Sequence, residues 1–158
     1  MLFLEHLCLD LLFPQILKLF FFVALQIKCA FGEPLELKQE DIKLMGHAMQ
    51  FRINAEDPEQ NFRPCPGKLD VFLPSSGPFV RVDSACYPGY SIPPNYDSMI
   101  AKLIVKGKDR REVLARARRA LKEFYCEGVK TSIAFHEMMI EREDFINSNY
   151  DIGYVDNL

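Results

Sequence analysis

No two of the five cysteines (Cys8, Cys29, Cys65, Cys86 and Cys126) lie closer than 21 residues, so no CxxC pair exists and a zinc site or dithiol redox motif is disfavoured. An odd, scattered set fits a reducing compartment better than a disulfide framework. His6, His47 and His136 are equally dispersed and offer no metal-ligand spacing. GxGxxG, a Walker-type loop and GxSxG are all missing, which excludes the usual phosphate cradle and nucleophile elbow. Basic excess is lacking as well. A formal charge of −3 and a pI near 5.6 give no support to nucleic-acid binding. Internal repeats and low-complexity tracts are absent. What remains is 158 residues, 49% apolar and 26% charged, the balance of one globular domain with or without a tail.

The composition is uneven. Met1–Cys29 carries only Glu5, Asp10, Lys18 and Lys28 as charges and is otherwise dominated by Leu, Phe, Ile and Val. The rest holds 17 basic and 20 acidic side chains, so the whole net charge resides there. The first charges are acidic, whereas a secretory signal begins with a basic region. A spanning helix needs about 20 apolar residues. The longest charge-free stretches are Leu11–Leu17, interrupted by Pro14, and Leu19–Ile27, so a membrane span is disfavoured. The preferred reading is a helix that packs under something, or a start foreign to the domain that follows.

From Gly32 the pattern is globular. In Gly46–Asp57 the residues Met49, Phe51 and Ile53 fall on one face, and Gln50, Arg52 and Asn54 on the other, which predicts a half-buried strand ended by Pro58. Phe62–Gly67 reads as a turn-rich loop. Lys68–Leu73 and Phe79–Tyr87 read as strands separated by PSSGP, a loop of hairpin length. Pro88–Asp97 is a further loop, and Ser98–Lys106 a central strand. Asp109 caps a helix, with Glu112 three residues on and Gly128 at its end. Val113, Leu114, Ala117, Ala120, Leu121, Phe124 and Tyr125 recur at helical spacing. A second helix is expected over Ser132–Arg142, with Met138, Met139 and Ile140 partly buried. Strands followed by helices predict an α+β domain.

The residues by themselves carry little chemistry. Glu56–Asp57 is a carboxylate pair, but a solvated turn before Pro58 is preferred over acid/base work. His47 reads as a strand-end hydrogen-bonding residue rather than a base. Arg110, Arg111, Arg116, Arg118, Arg119 and Lys122 form one helix face. It can bind anions or acidic partners, but a solvated face with intrahelical pairs is preferred. Arg52 stands mid-strand on the polar face, where a long cation must reach solvent or an anion. Asp97 precedes the apolar strand, and on sequence alone an Arg52–Asp97 pair is one possibility among many.

Four motifs narrow the choice: Gly46–Pro58 (GHAMQFRINAEDP), Pro64–Lys68 (PCPGK), Gly89–Leu103 (GYSIPPNYDSMIAKL) and Glu127–Thr131 (EGVKT). In this order they resemble the C-terminal domain of biotin carboxylase, the ATP-dependent component of acetyl-CoA carboxylase and related biotin enzymes. The resemblance covers about residues 25–158 and leaves 1–24 unmatched. It implies an α+β fold, a mainly antiparallel sheet, partly closed and barrel-like, with helices packed against it. It implies ATP- and bicarbonate-dependent carboxylation of biotin on a carrier protein, in the service of fatty-acid synthesis if the parent is acetyl-CoA carboxylase.

In the family, the Arg of the RINAEDP motif, here Arg52, stabilises the charge that builds on the biotin ureido oxygen. A planar Arg that does not lose its proton suits that task. The YDSM aspartate, here Asp97, pairs with it and orients it. Ile152, in Tyr150–Tyr154 (YDIGY), matches the position that packs on adenine. Gln50 departs from the family, which usually has Glu there. Nothing in these residues resembles the ATP-grasp segment EMNPRIQVEH, which supplies metal-binding glutamates, a bicarbonate-binding arginine and the general base. The expectation is therefore that ATP-grasp and N-terminal domains are absent, and that biotin, ATP and magnesium engage only together with an ATP-grasp part. Expected partners are the biotin carboxyl carrier protein, a full-length biotin carboxylase or separate ATP-grasp chain, and a second copy in a homodimer. The alternative is a non-catalytic dimerisation fragment or a truncated relic. The expected location is the cytoplasm, with plastid or mitochondrion as the alternative. Without an ATP-grasp neighbour, Leu19, Phe20, Phe21, Phe22 and Val23 are expected to form an exposed apolar patch on a helix.

Overall fold

The computed structural model describes residues 15–43 and 45–157. The chain divides between Met45 and Gly46 into two compact units. In the first, helix α1 runs over Gln15–Ala30. Phe21, Phe22 and Val23 are exposed, as expected for an apolar patch, and Ile27 is exposed beside them. The side chains of Leu19 and Phe20, the other two members of that patch, and residues 1–14 of the expected helix lie outside what is described. Among the described residues no helix is long and apolar enough to cross a membrane.

The second unit is built around strands β1 (His47–Asn54), β5 (Val80–Asp83) and β6 (Met99–Gly107), in the order β1-β6-β5, all antiparallel. The period-2 pattern of β1 is realised: Met49, Phe51 and Ile53 are buried, and Arg52 opposite Lys102 of β6 is exposed. β6 is central, as its apolar run predicts, with Ala101, Leu103 and Val105 buried. Helix α2 (Arg110–Glu123) lays Val113, Leu114, Ala117, Ala120 and Leu121 into the core. Asp109 caps it by accepting from the Glu112 N–H at 2.8 Å. Glu112 reaches back to the Lys108 N–H at 2.6 Å, one residue before the cap.

Short strands complete the unit. β2 (Glu56–Asp57) pairs with β3 (Arg63–Pro64), and β4 (Val71–Leu73) pairs with β7 (Tyr125–Glu127). Helix and antiparallel sheet are thus mixed as expected. The barrel-like closure is not found: among the described residues the strands form separate sheets of three, two and two. The two strands flanking PSSGP do not form a hairpin. β4 goes to β7, where Phe72 packs edge-on to Phe124 at 5.7 Å, while β5 goes to β6.

The helix expected to end at Gly128 stops at Glu123, and Phe124 is its buried cap. Tyr125 turns onto the strand. Gly128 has φ +101°, and a Cβ there would lie 2.1 Å from the Lys68 carbonyl oxygen. It is glycine because two backbones meet there, not because a helix ends there. The second predicted helix is two: α3 (Ile133–Met139) and α4 (Glu143–Ile146). Met139 and Ile140 are buried, whereas Met138 faces solvent.

Candidate functional site

The polar face of the β1-β6-β5 sheet carries Arg52 beside Lys102, which in turn lies opposite Asp83 of β5. The Arg52 guanidinium donates to the Asp97 carboxylate and forms an ion pair with it. The other Asp97 oxygen accepts from the Met99 N–H at 3.0 Å, which turns the chain into β6. The Arg52 hydrogen bond holds the Asp97 carboxyl below its usual pKa; the Met99 N–H adds to this, and partial burial opposes it. The side chains are 43% and 55% exposed, so the pair contributes at most about 1 kcal/mol to folding. Its physical effect is to orient a guanidinium that remains accessible.

The loop bearing Asp97 is braced against the end of β1. Ser98 donates from Oγ to Glu56 at 2.5 Å, Asn54 donates from Nδ2 to the same oxygen at 3.0 Å, and the Ala55 N–H donates to the Ser98 carbonyl at 2.7 Å. The solvated-turn reading of Glu56–Asp57 is therefore corrected. Asp57 is buried, binds Lys130 at 2.9 Å and accepts from the Glu59 N–H at 3.1 Å. The Lys130 bond pulls its pKa down.

Behind Arg52, sequence reading missed two residues. The Arg52 carbonyl accepts from Nε2 of His136 at 2.9 Å and from Oγ of Ser132 at 3.2 Å. Burial pushes the His136 imidazole down to about 4, against the pull of that carbonyl. The available signal was a serine and a histidine four residues apart, on the helix face that also carries apolar Phe135 and Met139.

The arginine face of α2 is not simply solvated. Arg110 donates to the carbonyls of Phe145 and Ile146 and lies over the Phe145 ring at 5.2 Å. Arg116 bonds the Lys106 carbonyl at 2.5 Å and Glu112 at 2.7 Å. Arg118 meets Glu141 at 2.6 Å, and Arg119 meets Glu123 at 2.9 Å. Arg110, Arg116 and Arg118 brace the domain, Glu112–Arg116 and Arg119–Glu123 are intrahelical pairs of the kind expected, and Arg111 and Lys122 are exposed. Ile152 is 98% exposed in a turn, so no wall for a stacked base surrounds it. Gln50 stands opposite Ile104, two residues before Arg52 on the same face. Among the described residues no three His, Cys, Asp or Glu side chains gather as metal ligands.

The site thus comprises an accessible arginine paired with an aspartate on an antiparallel sheet, carried by the motifs above. Residues 50–157 match the family described as the biotin carboxylase C-terminal domain. The chain is 53% identical over 131 residues to biotin carboxylase 1 of Bacillus subtilis, covering 83% of this chain and 29% of that protein. It is 49% identical over 130 residues to the chloroplastic biotin carboxylase 1 of Populus trichocarpa, covering 82% and 25%. The biotin carboxylase domain dimer of Hydrogenobacter thermophilus 2-oxoglutarate carboxylase, solved with MgADP, ADP and bicarbonate, superposes with a TM-score of 0.77 at 38% identity over 84% of this chain and 29% of that one. The chain belongs to the biotin carboxylase C-terminal domain family. It spans between a quarter and three-tenths of the curated relatives named here.

Proposed function

We propose that this chain supplies the biotin-side half of a biotin carboxylase site. The observation that carries the reading is the Arg52–Asp97 ion pair, with its guanidinium still accessible. Biotin carried on a partner protein is the substrate. As its N1′ is deprotonated, negative charge builds on the ureido oxygen, and Arg52 places a fixed cation there. One such donor is typically worth about 2.7–4 kcal/mol. Asp97 keeps the guanidinium aimed, and the brace through Ser98, Glu56 and Asn54 keeps Asp97 in place. ATP and magnesium supply bicarbonate activation, which depends on positioning and charge neutralisation. The 158 residues contain no phosphate loop for that step, so an ATP-grasp part must provide it. Ile152, exposed as it is, would contribute to an adenine site only against a wall from that part.

The partners on this reading are a biotinylated carrier, an ATP-grasp chain or a full-length biotin carboxylase, and a second copy of this domain. The carboxyl acceptor belongs to another component, and fatty-acid synthesis follows if it is acetyl-CoA. The cytoplasm is the proposed location; the chloroplastic relative makes a plastid the alternative.

The test is fixation of labelled bicarbonate onto biotin with ATP and magnesium, for this chain alone and mixed with a biotin carboxylase lacking its own C-terminal domain. The expectation is no turnover alone, turnover in the mixture, and its loss with Arg52→Ala. Equal activity of the mixture with wild-type and Arg52→Ala chains overturns the role of Arg52. Turnover by the chain alone overturns its dependence on an ATP-grasp part.

A further inference from the structure

We propose that His136, together with Ser132, is a positioning residue for Arg52: it clamps the main chain beneath the guanidinium, so that the head group meets Asp97 in one place. The inference rests on the reading of Arg52 just given and adds the means by which the fold holds it.

Asp97 can fix only the far end of the Arg52 side chain. The root must be fixed separately, because an arginine side chain carries about 2 kcal/mol of rotamer freedom and a moving backbone adds more. β1 lies at one end of the sheet order β1-β6-β5, so its groups that face away from β6 have no strand partner in that sheet. Such edges fray or pair with other chains unless they are covered. Here the cover is the start of α3. The Ser132 N–H donates to the Asn54 carbonyl at 3.0 Å, and Ser132 Oγ accepts from the Asn54 N–H at 3.0 Å. The Ser132 hydroxyl proton goes to the Arg52 carbonyl at 3.2 Å, and His136 Nε2 reaches that carbonyl at 2.9 Å. A carbonyl only accepts, so Nε2 carries the proton. One serine and one histidine thereby satisfy three edge groups of β1, two of them on Arg52 and Asn54 carbonyls.

His136 is 1% exposed, edge-on to Phe51 at 5.5 Å and to Phe135 at 5.9 Å. A leucine or methionine would fill such a space without the cost of burying an imidazole. The distinctive thing the imidazole offers is a donor for the Arg52 carbonyl. It is buried, with no surface open to a ligand, and acts through Arg52.

The test uses the full chain labelled with carbon-13 and nitrogen-15. The Asp97 carboxyl carbon is followed through an acid titration, and the Arg52 Nη–H resonance, from the donor in the pair, reports the partner. In wild type, Asp97 titrates below the ordinary carboxylate range; Arg52→Ala sets the value without the cation. His136→Leu is expected to move Asp97 most of the way to that value and broaden the Arg52 resonance. His136→Gln, which keeps an N–H donor, restores both. A folded His136→Leu protein with an unchanged Asp97 titration overturns the proposal. If His136→Leu gives no dispersed spectrum, Ser132→Ala decides, with a smaller shift in the same direction expected and no shift overturning it. Neither ATP nor biotin enters this measurement. A negative result therefore refutes the clamp alone, whereas full carboxylation by Arg52→Ala refutes the functional reading alone.

Discussion

Arg52 and Arg110 are the same side chain in opposite circumstances. Arg110 spends its guanidinium on the Phe145 and Ile146 carbonyls and on the ring of Phe145. Arg52 meets one carboxylate and stays 43% exposed, while its own carbonyl is the group that is clamped. The difference separates an arginine that holds a fold together from one that the fold holds. Guanidinium groups saturated by main-chain acceptors have little left for a ligand, whereas one oriented by a single anion keeps donors free.

The largest test of this contrast is Arg52→Ala. Carboxylation in the supplemented assay is expected to fall about 10²–10³-fold, while unfolding free energy moves by less than about 1 kcal/mol. A large loss of stability would break the comparison. Next comes acid. The folded His136 holds its pKa near 4, below the ordinary 6.5, so the unfolded chain takes up the proton first. Stability should fall as pH drops from about 6.5 to about 4, by an amount on the order of 3 kcal/mol, and this residue adds no further loss below that. Urea midpoints across pH measure it, and His136→Gln should flatten that window. Asp97 and Asp57 lose their stabilising pairs only as pH falls through their lowered values, so their contribution appears at the acid end.

Arg110→Ala should follow, lowering unfolding free energy by about 2–3 kcal/mol, since charged hydrogen bonds to two partly buried carbonyls are lost. Arg110→Lys should recover less than half, because an ammonium does not fork across two carbonyls. Any effect of Arg110→Ala on carboxylation should vanish under conditions where the variant is fully folded. The smallest effect is expected for Arg119→Ala, which removes an exposed pair with Glu123 and should cost about 0.3–0.5 kcal/mol.

The placement of Arg52 and its pairing with Asp97 were legible in advance. The alternation of Met49, Phe51 and Ile53 with Gln50, Arg52 and Asn54 placed Arg52 on the open face, and the apolar run after Asp97 placed β6 at the centre. The family motifs named Asp97 as the partner, and the ion pair is present. Other readings failed where a local signal had a distant cause. Gly128 imitated a helix stop while serving a close approach to Lys68, and Glu56–Asp57 imitated a solvated turn while bracing Ser98 and Lys130.

The sequence by itself determined the strand faces, the Asp109 cap and the family, because side-chain period, a capping hydroxyl or carboxylate, and motif order are all written in residue types close along the chain. Only the tertiary structure decided that β4 leaves its neighbour for β7, that Arg110 and Arg118 reach across to α4 and Glu141, and that Ser132 and His136 grip Arg52 from 80 and 84 residues away. The acceptor in that grip is a main-chain carbonyl. Every residue has one, so no letter of the sequence marks which carbonyl an edge strand leaves open, and only the folded arrangement of β1 against α3 selects it.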